Sequence, residues 1–468
     1  MKRALLILIL LAGPCPGFGT AGDSPPLDGY IRMGLKGNLA LRQREFSLEK
    51  SLAALAEARS FFYPTLGVAA RYSRAGGGRI IDFPVGDLLN PIHASLNELF
   101  HAQGMPSSLP TDLANERIPF LRPSEQETRL RLTQPIFVPG TVQQLKIRAS
   151  LARAEAAALN AFKRKLVLEI KTAYFQYLKA DCAADLLQQI RSLLEENRRI
   201  SRSLLENGKA TEDILLRAEA ELAGVAQKTA QAEKDLAQAR AYFNFLLNRP
   251  FDAAVAAEPL PTAHRAPSSL QEISLRALAK RDEFAQIDHA IRASAHHVRL
   301  AASGRLPSLG AAIDYGFQGE TYRFAGNDDY WMASLLLEWT LFDGGRSRAQ
   351  RIQARLDKRK LESQRLELER TIRLQVQEEY RGLEAAELML EATRQREKSS
   401  RGSFAIVAAK FRSGMAPQFE YMDAQTVFAE AAMAVIVARY DCLIQQARLE
   451  QAAALVDLER YEQGEIAE

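Results

Sequence analysis

Histidine is the first residue type to weigh for chemistry, and three of the chain's six, His289, His296 and His297, fall in one helical stretch. Chelation of a metal within a helix needs ligands at i and i+4. His289 and His296 share a face but stand seven apart, so they read as solvated or packed helix histidines rather than ligands. No nucleophile elbow or phosphate-cradling glycine loop appears. Neither a metal, nor a cofactor, nor enzymatic chemistry finds residues to carry it.

The bulk composition is that of ordinary folded protein: 468 residues, 47% hydrophobic, 25% charged, net charge +4. With 61 basic against 57 acidic residues and no basic run interleaved with aromatics, nothing points to nucleic acid. Lys2 and Arg3 precede the apolar run ALLILILLA and then the small residues of GTAG. This is a secretory leader over 1–21, cut after Ala21. The alternative is lipidation on Cys15, within LAGPC. After cleavage only Cys182 and Cys442 remain, too few for a disulfide scaffold. No later segment approaches the roughly 18–20 apolar residues of a membrane helix.

The elements that could do physical work are strands. In YWMASLLLEWTLFDGG (330–345), Trp331, Ala333, Leu335, Leu337, Trp339 and Leu341 alternate with Met332, Ser334, Leu336, Glu338 and Thr340. ETRLRLTQ sets Leu130 and Leu132 against Arg129, Arg131 and Thr133. LGAAIDYGF sets Leu309, Ile313, Tyr315 and Phe317 against Gly310, Asp314 and Gly316, and LGVAARY sets Leu66, Val68 and Tyr72 against Arg71. Strands of about ten residues, apolar on one face, polar on the other and aromatic toward their ends, have the pattern of an outer-membrane barrel.

These strands are embedded in a duplication. FFYPTLGVAARY is echoed by GRLPSLGAAIDY, and LTQPIFVPGTVQQLKIRASLARAE by LEWTLFDGGRSRAQRIQARLDKRK. LLENGKATEDILLRAEAEL is echoed by KFRSGMAPQFEYMDAQTVF. Pro64 to Pro307 is 243 residues, Gly140 to Gly345 is 205 and Gly208 to Gly414 is 206. The expected first repeat, 22–248, holds helices at 28–62, 141–206 and 211–248, and strands near 65–73 and 128–137. A loop over 74–127, Pro-rich and expected to be irregular around the amphipathic piece LLNPIHASLNELF, separates those strands. A Pro-rich connector, 249–269, leads to the second repeat, 270–468. That repeat has helices at 270–303, 346–412 and 417–462, and strands near 308–317 and 330–341. Thr141–Asn207 contains neither Gly nor Pro across 67 residues. That is about 100 Å of rod, along which the two shorter helices, stacked end to end, could run antiparallel.

Four strands cannot close a barrel, for which about eight is the minimum. An open edge in lipid would strand backbone amides at several kcal/mol each. The chain must therefore pool strands with its own copies; two copies give eight and three give twelve, and the physics alone does not choose. The charged helices would continue the wall outside the membrane. Gly344–Gly345, and Gly140 after Pro139, offer backbone freedom where strand becomes helix.

Taken together, the helix-to-strand junctions YPTL (Pro64) and LPSL (Pro307), the exits PIFVPG and TLFDGG, and the turns at Gly208 and Gly414 resemble the TolC-type outer membrane factors, the outer membrane efflux protein family. The resemblance spans essentially the whole mature chain. It implies a homotrimer with a twelve-stranded transmembrane β-barrel and a twelve-helix periplasmic tunnel, each protomer contributing four strands and long antiparallel helices. Its expected place is the outer membrane of a Gram-negative bacterium, in contact with lipid. It would act as a passive exit duct of a tripartite efflux or type I secretion system, docked to a periplasmic adaptor and an inner-membrane transporter. Family members close the periplasmic end with acidic rings past the second tip turn. Aligned on Gly414, the matching residues are Glu420 and Asp423, three apart and so on one helix face. Such a ring favours cations; the alternative is that both carboxylates simply complement the helix dipole. Asp213 lies one residue out of register with an acidic position of the other tip. The resemblance places adaptor docking at Gly208, Lys209, Gly414 and Met415. Some members lock the tip with a basic residue two positions past the turn glycine, where this chain has Ala416. Rival readings are a periplasmic adaptor and a coiled-coil scaffold without a pore, neither of which has a use for four alternating strands. The nature of the cargo is not written in these residues.

Overall fold

The computed structural model describes residues 26–208, 211–257, 269–322, 324 and 326–462. The leader 1–21 with Cys15, the tip residue Lys209 and connector positions 258–268 lie outside the described residues. In chain order the elements are α1 (Pro26–Gly37), α2 (Leu39–Ser60), β1 (Thr65–Arg74), β2 (Ile80–Phe83), α3 (Val85–Ala102), β3 (Glu116–Pro119) and β4 (Ser124–Phe137). There follow α4 (Pro139–Glu206), α5 (Glu212–Leu246), α6 (Leu270–Lys280), α7 (Asp282–Ser303), β5 (Ser308–Gly319) and β6 (Asp329–Glu338). The last described elements are α8 (Arg346–Arg412), α9 (Gln418–Ala452) and α10 (Glu459–Glu462). Two compact units divide these elements. The helical unit is drawn from residues through Ala54, Ile147–Ala295 and Arg355 onward; the strand unit is Leu55–Lys146 with His296–Ala354.

In the helical unit, α4 runs unbroken for 68 residues because good helix formers fill it and nothing interrupts its hydrogen-bond ladder. Its buried stripe includes Leu166, Ile170, Tyr174 and Leu178, at spacings of four, and meets Phe243 of α5 and Ile444 of α9. Each such side chain contributes about 1.5–3 kcal/mol by leaving water. A second cluster joins Ile273 of α6, Ile372 and Val376 of α8, and Cys442 of α9. Cys442 is buried and unbridged.

Three helices expected to be continuous are interrupted. The 28–62 helix breaks at Asn38, whose Oδ1 accepts from Leu41 N (3.0 Å) while Nδ2 donates to Leu246 O (2.9 Å). The side chain thus caps α2 and satisfies a carbonyl at the end of α5. The 270–303 helix breaks at Arg281, where the guanidinium donates to Glu283 Oε1 (2.6 Å) and Gln375 Oε1 (2.9 Å). These breaks lie 243 residues apart, the interval of Pro64 and Pro307. The 417–462 helix stops at Ala452 and, among the described residues, a single turn, α10, follows. Asn248 (φ 55°) and Ala454 (φ 53°) end α5 and α9 in the left-handed region, 206 residues apart.

In the strand unit, β1–β4–β5–β6 form one antiparallel sheet, leaving β1 and β6 as its edges. β6 stops at Glu338, short of the expected 341: its last rung is Ser308↔Glu338, and Pro307 has no N–H to extend the ladder. β4 starts at Ser124 rather than near 128 because it pairs β1 up to Arg74. Gly316 sits where a Cβ would lie 2.6 Å from Thr128 O, so its absence permits the β4–β5 approach.

The 74–127 segment is ordered rather than irregular. Ala75 N donates to Pro123 O and Phe120 N to Arg79 O, which carry the β1–β4 ladder on into a β2–β3 hairpin. α3 follows, and the returning chain 107–115 is laid along it.

Candidate functional site

The sheet register sorts its side chains into two faces. Across β1, β4, β5 and β6, one face carries the rows Leu66–Leu132–Ile313–Ala333 and Val68–Leu130–Tyr315–Trp331. Leu335 and Leu337 extend it opposite Ala311 and Leu309. Among the described residues none covers this face, and Leu335 is 72% exposed. Monomeric soluble proteins rarely leave so continuous an apolar patch to water. Trp331 and Trp339 stand toward its two ends, and Trp339 Nε1 donates to Arg305 O (3.1 Å).

The other face is polar and internally paired. Its rows are Gly67–Arg131–Asp314–Met332 and Ala69–Arg129–Gly316–Tyr330. Arg131 grips Asp314 bidentately, Nε to Oδ1 at 2.6 Å and Nη2 to Oδ2 at 2.7 Å. Glu127 accepts from Arg129 Nη1 (3.1 Å) and from Tyr330 Oη (2.9 Å) and pairs with Arg71 (3.4 Å). Arg129, Arg131 and Asp314 sit opposite the apolar residues as their alternation requires. The pairing across strands was not visible in one strand's pattern.

At the strand–helix junctions, Pro64 and Pro307 immediately precede β1 and β5. Gly344 (φ 64°) and Gly345 (φ 88°) use the left-handed freedom that only glycine takes cheaply. Asp343, missed in the sequence, caps the turn: Oδ1 accepts from Gly345 N and Oδ2 from Ser347 N (2.8 Å) and the Ser347 hydroxyl. Those bonds hold its carboxyl below the usual range. Gly140 is different from the expectation. It lies within α4, behind Pro139 at the first helical position, without a positive φ. The freedom expected there is not used.

Both helical hairpins turn on a left-handed glycine, Gly208 (φ 66°) and Gly414 (φ 76°). At the second, Met415 N donates back to Lys410 O (2.8 Å) and Gly414 N to Phe411 O (3.1 Å), which closes the last turn of α8. Met415 is left 74% exposed, whereas Ala416 beside it is buried. Below the turn, Phe404 stacks on Phe428 (5.7 Å) and Phe411 on Tyr421 (4.9 Å). Burial raises the Tyr421 hydroxyl above its ordinary pKa, with the Asn197 side chain opposing. Each helix supplies its two aromatics seven apart, a legible signal that the sequence reading passed over. A buried polar link was also missed: Asn197 Nδ2 donates to Gln425 Oε1 (2.8 Å) and Gln418 Nε2 to Ser201 Oγ (2.5 Å), joining α4 to α9.

Glu420 and Asp423 lie on the first turns of α9, half-buried and exposed respectively, and neither makes an ion pair among the described residues. Asp213 is exposed at the start of α5, and no described hydrogen bond or ion pair joins it to those two. His289 and His296 are pushed below the usual histidine pKa, first by burial and then by nearby arginine or lysine charge. Among the described residues no cluster of three or more His, Cys, Asp or Glu could hold a metal ion. No described helix is long and apolar enough to cross a membrane.

This combination of an uncovered strand sheet and long helical hairpins has solved counterparts. The Campylobacter jejuni CmeC outer membrane channel matches with a TM-score of 0.76 over 95% of this chain and 90% of its own, at 15% identity. The Neisseria gonorrhoeae MtrE outer membrane channel, in its open state, matches at 0.73 over 92% and 89%, at 18% identity. The Vibrio cholerae outer membrane protein VceC matches at 0.71 over 91% and 95%, at 14% identity. The fold is that of the TolC-type outer membrane factors. Residues 274–455 match the outer membrane efflux protein family. No curated protein matches the chain by sequence. The family and the solved counterparts are channels, not enzymes.

Proposed function

We propose that the chain is one protomer of a trimeric outer-membrane exit duct. The carrying observation is the open four-stranded sheet, uncovered on its apolar face and unpaired at β1 and β6. Because β6 runs antiparallel to β5, and β5 to β4, and β4 to β1, the β6 edge of one copy is oriented to pair antiparallel with β1 of the next. Closure with copies of itself satisfies every edge amide, and three copies make a twelve-stranded barrel with the Arg131–Asp314 face inside. The helical hairpins then extend into the periplasm as a tunnel wall. A periplasmic adaptor or pore-less scaffold would leave the apolar sheet face in water.

In this reading the duct is passive. Adaptor hairpins dock at the tips, on Gly208, Lys209, Gly414 and Met415, within a tripartite assembly driven by an inner-membrane transporter. Glu420 and Asp423, repeated by the three-fold axis, place six carboxylates at the periplasmic constriction, with Asp213 nearby as a lesser contributor. Such a ring passes cations in preference to anions. Opening separates the tip hairpins, with adaptor binding biasing the open arrangement. Planar-bilayer recording tests this. The wild type is expected to give small, cation-selective steps, and Glu420→Ala with Asp423→Ala to enlarge them and weaken the selectivity. Purified protein that gives no conductance at all overturns the duct.

A further inference from the structure

The amphipathic helix α3 is turned the unusual way round. Its polar side faces its own chain: Asn90 Nδ2 donates to Leu113 O (3.0 Å) and Oδ1 accepts from Leu113 N (2.9 Å). Asn97 repeats the device one step along, donating to Leu109 O (2.9 Å) and accepting from Leu109 N (3.0 Å) and Ser107 Oγ (2.6 Å). Each asparagine amide takes the place of a strand partner, and His93 Nδ1 adds a bond to Pro110 O (2.6 Å). With its polar side consumed, α3 presents Leu88, Ile92 and Leu99, each more than half exposed, on the opposite side.

Three observations identify the occupant of that face. Leu88, Ile92, Ser95 and Leu99 follow one another at spacings of four, three and four, the seam of a helix-to-helix contact. Next, Val85–Ala102 contains no Lys or Arg, only Asp87 and Glu98 as fixed charges, whereas a helix lying on a lipid headgroup layer carries basic residues on its polar side. Finally, α3 is carried by the β2–β3 hairpin, which prolongs β1, and β1 is the sheet edge left for a neighbouring copy. We infer that the Leu88–Ile92–Leu99 seam docks against the same helix of a second copy of this chain, so that the insertions of one assembly meet over the distal end of the barrel. This rests on the reading of β1 and β6 as edges shared between copies.

The test is oxidative crosslinking of the full-length protein in outer-membrane vesicles. Ser95→Cys stands in the seam, and Glu98→Cys stands on the charged side of the same helix as its control. The oligomer of each variant is sized in parallel. The expected result is a shift from monomer to crosslinked dimer on denaturing gels for Ser95→Cys and none for Glu98→Cys, with the oligomer intact in both. An intact oligomer in which Ser95→Cys stays monomeric overturns the seam while leaving the duct standing. A spin label at Ile92 that is relaxed by lipid-soluble oxygen assigns the face to lipid and also overturns it. Chains that form no oligomer at all contradict both readings together.

Discussion

Replacing Leu335 by arginine separates a lipid-facing sheet from a water-facing one. Leu335 sits midway between Trp331 and Trp339, four residues from each. In the proposed barrel, with about 3.4 Å per residue and a tilt of about 40°, each tryptophan lies roughly 10 Å above or below it along the axis. That puts Leu335 near the middle of an apolar band about 25 Å tall, where an arginine costs about 2–4 kcal/mol. The cost corresponds to roughly 30- to 1,000-fold in the folding equilibrium per chain. Met332, three residues earlier, faces the polar side opposite Asp314, and arginine there should cost no more than about 0.5 kcal/mol. The chain has only two tryptophans, Trp331 and Trp339, so indole fluorescence reports on this strand and its exit alone. Refolding into phosphatidylcholine vesicles, titrated with guanidinium, gives both values in one assay. Equal effects of Leu335→Arg and Met332→Arg, or a neutral Leu335→Arg, would refute the assignment of faces.

Further expectations concern the sheet and the helix ends. Ala454 pays a steric cost at φ 53° that its counterpart Asn248 tolerates better, so Ala454→Gly should raise stability by about 0.5–1 kcal/mol in thermal melts, and Asn248→Ala should lower it. Gly316→Ala drives a Cβ to 2.6 Å from Thr128 O and should cost about 1–3 kcal/mol, read as a lower denaturation midpoint with slowed insertion. Burial alone would raise Glu283, but the hydrogen bond and charge of Arg281 outweigh it and hold the carboxyl low. The stability from that pair is therefore full above the unfolded glutamate pKa of about 4.3 and is lost as pH falls through the depressed folded value. Amide protection factors at the α6–α7 break, referred to the intrinsic exchange rate at each pH, should fall in that acid window in the wild type, and Glu283→Gln should show the lower protection already at neutral pH.

The sequence made the long elements readable because their determinants are local. An absence of Gly and Pro over 141–206 leaves α4 uninterrupted and an absence of Pro does the same for α8, period-two alternation assigns the sheet faces, and Gly208 and Gly414 announce turns that need a left-handed residue. Other features depend on partners distant in the chain. Asn38 looks like an ordinary helix residue until Leu246 O is found beside it, and Arg281 likewise until Gln375 is placed. The 74–127 segment reads as irregular because its order comes from Asn90 and Asn97 imitating backbone, which no periodicity betrays. The tip link between Asn197 and Gln425 joins residues 228 apart and is equally silent.

The central claim is that one chain builds only part of a closed wall. Native mass measurement of the detergent-extracted protein tests it most directly. The account predicts a particle of three chains that dissociates on heating; a single chain, stable in water without detergent, would contradict it.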